Sequence, residues 1–211
     1  ALAEHDLSFT LLTSGINEVS KEQHTEKVLR AAAAIGVKRF RMAYYKYDLS
    51  KPIPAQLEEF RAKMRDLVAA TDEIGIKPIY QNHSGKNYFG GPLWDLADIL
   101  DEFSPDQAGV AFDIGHATVE GAKAWPLNWA RVRPWVDMVY LKEPHWKDNQ
   151  LSWGALGEGA VDEGFYKTLK DSDFTGPISL HVEYLGRGPE KEATIRAAME
   201  KDLATMRRLI G

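Results

Sequence analysis

The sequence predicts an α/β fold of the (β/α)8-barrel type, to which this chain supplies six βα units corresponding to strands three to eight. Three observations carry that expectation. Strand-like and helix-like segments alternate along the 211 residues, in repeats of about 30–40 residues, which is the rhythm of a parallel sheet with its helices outside. The strands read apolar on one face and increasingly polar on the other toward their C-terminal ends: Ile178, Leu180 and Val182 oppose Ser179, His181 and Glu183. A doubly wound sheet has helices on both faces and needs both to be apolar; no GxGxxG turn follows the first strand either. Finally, Ala1-Leu2-Ala3-Glu4-His5 reads like the last turn of a helix, and a full barrel takes about 250 residues. Two units are therefore expected upstream, and residues 1–211 are read as one N-terminally incomplete domain.

The elements follow in order. Leu7–Thr13 is apolar and β-branched, hence a strand. Lys21–Ile35 places Val28, Leu29, Ala32 and Ile35 at helical spacing and stops at Gly36. Val37–Tyr44 is strand-like. Pro54–Ile74 aligns Leu57, Phe60, Met64, Leu67 and Val68 on one face, and Gly75 ends it. Ile76–Asn82 is a strand, and Pro92–Phe103 a helix with Leu93, Leu96, Ala97 and Leu100 inward. Gly109–Asp113 is a strand, Asn128–Arg133 is weakly helical, and Val136–Lys142 is a strand. Gly164–Lys170 is a helix, Pro177–Glu183 a strand, and Glu190–Ile210 a closing amphipathic helix.

Composition narrows the function classes. Net charge is −5, and the basic clusters, Lys38-Arg39-Phe40-Arg41 and Arg207-Arg208, are short; a nucleic-acid partner is not expected. With no cysteine, disulfides, thiolate catalysis and cysteine zinc sites are excluded, which fits a cytoplasmic location. No apolar run is long enough to span a membrane, and no signal peptide is visible; any such signal would lie in the expected upstream segment.

Chemistry-bearing residues recur at the strand ends. The inward faces offer Arg41, then Gln81 and His83, then Asp113 with His116 in the loop after it, then Tyr140 and Lys142, then His181 and Glu183. Buried ionisable groups are costly unless paired or metal-bound, so five strands delivering polar groups to one end point to a site. Each residue also has a structural use. Asp113 stands where it can cap the next helix, His83 and His116 can be hydrogen-bonded structural histidines, and Arg41 can be an internal salt-bridge partner.

The segments QNHSG at 81–85, FDIGH at 112–116, VYLKE at 139–143, LGEGAVD at 156–162 and HVEY at 181–184 resemble, in order and spacing, the xylose-isomerase-like TIM-barrel superfamily of sugar phosphate isomerases and epimerases. The resemblance implies a divalent ion (Mn, Mg or Zn) held by a Glu, an Asp, a His and a Glu from successive strand ends. It also implies two Glu that act as acid and base on a carbon beside a carbonyl. By motif Asp113 and Glu183 match two ligands, and His116 matches a substrate-facing histidine. Gln81 stands where the family has Glu, and Tyr140 where it has His. The ligand set implied is Asp113, Glu183, Gln81 and His181, with His83 as a further nitrogen donor. In the competing picture the Lys142 ammonium lies among Asp113 and Glu183 where an ion would otherwise be.

The reaction so implied is isomerisation or epimerisation of a carbohydrate-type small molecule. Glu183 is the base, Lys142 or a metal stabilises the enediolate, and His116 or His83 shuttles protons. His83, Arg41, Trp125, Trp146 and Glu158 are the expected substrate contacts; one of Trp125, Trp146 and Trp153 is expected to stack on a sugar ring. Two alternatives stand beside this: a non-catalytic carbohydrate-binding barrel with a degenerate metal site, and a related lyase or dehydratase. A zinc endonuclease for damaged DNA disagrees with the acidic charge. The resemblance leaves a homodimer open.

Overall fold

Among the described residues, six parallel strands form one curled sheet in chain order, except that its last strand pairs with the fifth past an intervening two-stranded antiparallel hairpin. The computed structural model describes residues 2–186 and 188–211; Ala1, the first residue of the expected helical turn, and Arg187 lie outside the described residues. In chain order the elements are β1 (Leu12–Thr13), α1 (Thr25–Ala34), β2 (Arg39–Arg41), α2 (Ile53–Ile74), β3 (Lys77–Gln81), α3 (Trp94–Leu100), β4 (Gly109–Asp113), α4 (Ile114–Gly121), α5 (Trp125–Val132), β5 (Val136–Leu141), β6 (Glu143–Lys147), β7 (Gln150–Gly154), α6 (Glu163–Asp171), β8 (Ile178–Leu180) and α7 (Glu192–Ile210). This is the α/β barrel architecture, present as a six-stranded arc. No helix among the described residues is long and apolar enough to cross a membrane.

Two apolar layers hold the arc. The larger lies between sheet and helices, where Val110 and Phe112 of β4 and Val139 and Leu141 of β5 meet Leu67 of α2, Leu96 and Leu100 of α3, Trp129 of α5 and Phe165 of α6. Phe112 sets its edge against Trp129 at 5.1 Å between ring centroids. The smaller layer is the inside of the curl, made of Ile79, Ala111, Met138 and Tyr140 with Leu11 against them. Register explains which side chains turn inward, because partners in adjacent parallel strands share a face. Arg41 pairs with Ile79, Gln81 with Ala111, and Asp113 with Tyr140. Polar residues at the upper ends of β2–β5 thus sit above a small apolar floor.

Helix signals read from the sequence land well where caps are strong. α2 ends at Gly75, whose φ of 75° is left-handed, a conformation glycine adopts without steric cost. The structure corrects other expectations. The strand expected over Leu7–Thr13 shrinks to Leu12–Thr13, and Leu7 and Phe9 are exposed. Among the described residues β1 has β2 as its one neighbour, so its outer backbone groups gain no ladder bonds there. β8, at the other edge, is likewise shorter than the Pro177–Glu183 expected. Beyond β4 two helices, α4 and α5, replace the single weak helix expected over Asn128–Arg133. The β6–β7 hairpin was not anticipated. It turns on Asp148 and Asn149, both at positive φ, the paired left-handed conformation of a tight hairpin turn.

Candidate active site at the strand ends

β4 runs directly into α4 with no intervening loop, and Asp113 is the hinge between them. Its Oδ1 accepts from the His116 N–H at 3.0 Å, the N-cap bond of α4. Its backbone is locked to β3 by Asn82, which accepts from the Asp113 N–H at 2.8 Å and donates to its carbonyl at 2.9 Å. The Gln81 side chain reaches the remaining oxygen, with Nε2 donating to Oδ2 at 2.8 Å. Gln81 is itself oriented by Tyr44, whose hydroxyl donates to Oε1 at 2.7 Å. The glycine before His116 has a steric reason. A Cβ at Gly115 would lie 2.5 Å from the Lys142 carbonyl oxygen, so only glycine lets α4 start this close to β5.

Asp113 is fully buried. Burial pushes its carboxyl up to about 7, against the opposing pull of the His116 N–H, the Lys142 charge and the Gln81 amide. His116 is equally enclosed. Its Nδ1 is 2.7 Å from Ser84 Oγ, its Nε2 is 3.7 Å from Asp113 Oδ2, and its ring lies 3.9 Å from that of His83. Burial, reinforced by the His83, Lys142 and His181 charges, lowers it to about 2, so it is a neutral imidazole near neutrality. His83 stacks on Tyr88 at 4.5 Å and contacts Ser84 O through Nδ1 at 2.8 Å; burial lowers its pKa too.

On the other side of the cup Lys142, 7% exposed, places Nζ 2.5 Å from Glu183 Oε2. The indole of Trp153, from β7, lies 4.1 Å from the same Nζ and 5.0 Å edge-on from His116. The hairpin thus brings one indole against both Lys142 and His116. His181 packs on Tyr140 at 4.4 Å, and burial lowers its pKa to about 4. The Tyr140 hydroxyl is raised to about 12 by burial.

The structure therefore brings together Gln81, His83, Asp113, His116, Lys142, His181 and Glu183, with Arg41 at the rim stacked 5.0 Å from the Tyr44 ring. It does not bring Trp125, Trp146 or Glu158 to them. Trp125 is buried in the helix layer on Phe165. Trp146 is half-exposed on the outside of the hairpin, in a groove with Thr118, Val119 and Lys123. Glu158 is on the surface, paired with Lys201 at 2.5 Å. Of the three loop tryptophans singled out, Trp153 is the one at the site. Sequence reasoning missed Tyr44, Asn82 and Ser84, which orient the others. It also missed Glu143, a buried carboxylate that accepts from the Gly157 N–H at 2.8 Å and the Val161 N–H at 2.9 Å and so ties down the loop beside Lys142. The Glu next to Lys142 in the strand-end motif was the available signal.

The donor set does not fit a divalent ion. Gln81 turns its amide NH2, not its carbonyl, toward Asp113. Both Asp113 oxygens are already hydrogen-bond acceptors. An ammonium lies on the Glu183 carboxylate. Among the described residues no group of three or more His, Asp and Glu is arranged to hold a metal.

The family model for the xylose isomerase-like TIM barrel matches residues 1–208. No curated protein sequence matches the chain. Among solved structures, the probable 3-DHS dehydratase AsbF involved in petrobactin synthesis from Bacillus anthracis aligns with a TM-score of 0.74 at 15% identity, over 94% of this chain and 77% of that one. The IolI protein with a binding zinc atom aligns at 0.73 and 15% identity, over 99% and 80%. D-Psicose 3-epimerase with D-tagatose from Clostridium cellulolyticum H10 aligns at 0.73 and 13%, over 98% and 80%. At such identities the likeness establishes the fold alone.

Proposed function

The chain belongs to the xylose isomerase-like TIM barrel family, and from that premise we propose that it moves a proton on a carbon beside the carbonyl of a carbohydrate-type substrate, as an isomerase or epimerase. The observation that carries this reading is the contact of Lys142 Nζ with Glu183 Oε2, at 2.5 Å under the Trp153 indole. Structures similar in fold include a probable dehydratase and a sugar epimerase, which supports an isomerase, epimerase or related lyase.

Glu183 is the base. Its side chain is half-exposed while Lys142 is nearly enclosed, so the carboxylate faces the space a substrate enters. As Glu183 takes the proton it loses its charge. The ammonium, left without a partner, then faces the oxygen on which the enediolate charge develops. A preformed cation in a water-poor site is an effective stabiliser of such charge, so charge passes from carboxylate to enediolate within reach of one lysine. Trp153 covers the ammonium and offers an apolar face to a sugar ring. His116, neutral and anchored by Ser84, and His83 beside it relay protons between substrate oxygens. Asp113 orients the His116 end of α4 and holds Gln81; it does not reach for substrate. Although the IolI protein contains zinc, the donors here favour a lysine-based site, and no step is routed through a metal.

The test is deuterium wash-in. The protein is incubated in D2O with a panel of ketoses and aldoses, and exchange at the carbon adjacent to the carbonyl is followed by NMR. Exchange that falls by about 100-fold or more in Glu183→Gln supports the reading, since a general base contributes about 10²–10⁴-fold. Ligand-dependent stabilisation of the protein across the panel with no exchange in any sugar points instead to a binding barrel.

A further inference from the structure

Among the described residues the cations on the inner face of the sheet are matched to carboxylates, with one exception. Arg39 pairs with Asp137 at 3.0 Å, Lys77 with the same carboxylate at 3.0 Å, and Lys142 with Glu183. Arg41 shares the inner face, as its register with Ile79 shows, yet among the described residues no carboxylate lies within ion-pair distance of it. Its guanidinium lies on the Tyr44 ring and spends one donor, Nη1, on the Met42 carbonyl at 3.3 Å. The Arg41 charge acts on Tyr44, Tyr140, His83 and His181, so it faces the same cup as the proposed catalytic groups. A partly buried cation with most of its N–H donors unspent is costly to maintain without an anion.

We propose that Arg41 is the anion-reading residue of this site, and that the substrate carries an oxyanion, either a carboxylate or a phosphate, which the guanidinium grips from the β2 side while Lys142 and Glu183 act on the carbonyl end from β5 and beyond β8. The planar fork of an arginine matches the two oxygens of either group, and stacking on Tyr44 presets its plane before ligand arrives. The proposal rests on the proton-abstraction reading above and adds the acidic substrate class to it.

Binding is measured apart from turnover, by calorimetry, with three ketoses: D-fructose, D-fructose 6-phosphate and 5-keto-D-gluconate. The expected result is that at least one of the two anionic compounds binds about 10-fold or more tightly than D-fructose, the size of a charge-assisted contact; the tighter of the two tells phosphate from carboxylate. The preference is expected to vanish in Arg41→Met, to survive in part in Arg41→Lys, and to be intact in Glu183→Gln. Arg41→Lys keeps the charge on tyrosine-lined ground and guards against a misfolded Arg41→Met. Equal affinity for neutral and anionic ketoses, no binding of any of the three, or a preference that persists in Arg41→Met overturns the proposal. Deuterium exchange in D-fructose without an anion preference sinks the Arg41 assignment and leaves the proton-abstraction reading standing. Anion preference through Arg41 with no exchange in any sugar does the reverse.

Discussion

Tyr44 decides the chemistry of Gln81, because its hydroxyl takes the amide oxygen and leaves the NH2 for Asp113. One residue outside every motif thus determines that a position expected to donate an oxygen presents a nitrogen. The same buried groups set the dependence of stability on pH. His116 and His181 fall from 6.5 to about 2 and about 4, whereas Asp113 rises from 3.8 to about 7. Between about pH 4 and 6.5 the unfolded chain binds protons on two histidines that the folded chain refuses, while the folded chain retains one on Asp113 that the unfolded chain releases. Two outweigh one, so stability rises with pH across that window. Above about pH 7 the protons still on the unfolded histidines and the one on folded Asp113 nearly cancel, and stability levels off. Thermal midpoints taken every half unit from pH 4 to 8 are expected to rise from pH 4 and level off near pH 7; a midpoint that climbs as pH drops from 6.5 to 4 contradicts the burial of these imidazoles. At this scale the convergence of Asp113, His116, Lys142, His181 and Glu183 was legible, because buried ionisable groups are costly unless they meet a partner. Tyr44, Ser84 and Asn82 were not legible, since tyrosine, serine and asparagine near turns are too common for position alone to mark them.

Asp113, Gly115 and His116 work as one element junction. Gly115→Ala is expected to push α4 off the Lys142 carbonyl, costing about 1–3 kcal/mol in urea unfolding, the usual cost of overpacking. Because both α4 and β5 carry site residues, deuterium exchange should fall further than stability does. An alanine variant as stable as the parent shows that the close approach is not needed. Elements with strong periodicity and a glycine stop, such as α2 with Gly75, could be read directly. The hairpin β6–β7 could not, because Pro144 interrupts β6 and the segment's alternation is weak, so only Asp148-Asn149 marks the turn. That omission mattered, for the hairpin delivers Trp153 to Lys142. The edge strands β1 and β8 were overextended in the sequence reading because apolar composition says nothing about whether a ladder partner is present on both sides.

Over the whole molecule, the parallel sheet gathers side chains spread from Arg41 to Glu183 at one end, because strands in register deliver alternate residues to one inner face. The sequence pattern reached this convergence; it left open whether an ion or a lysine lies between the carboxylates. The structure places the ammonium on Glu183 and turns Gln81 away as a ligand. The most direct test is deuterium wash-in after exhaustive dialysis against a chelator, with parent protein and Lys142→Met side by side. Exchange unchanged by the chelator and lost in Lys142→Met is the expected result. Exchange abolished by the chelator, restored by Mn2+ and indifferent to Lys142→Met contradicts the account.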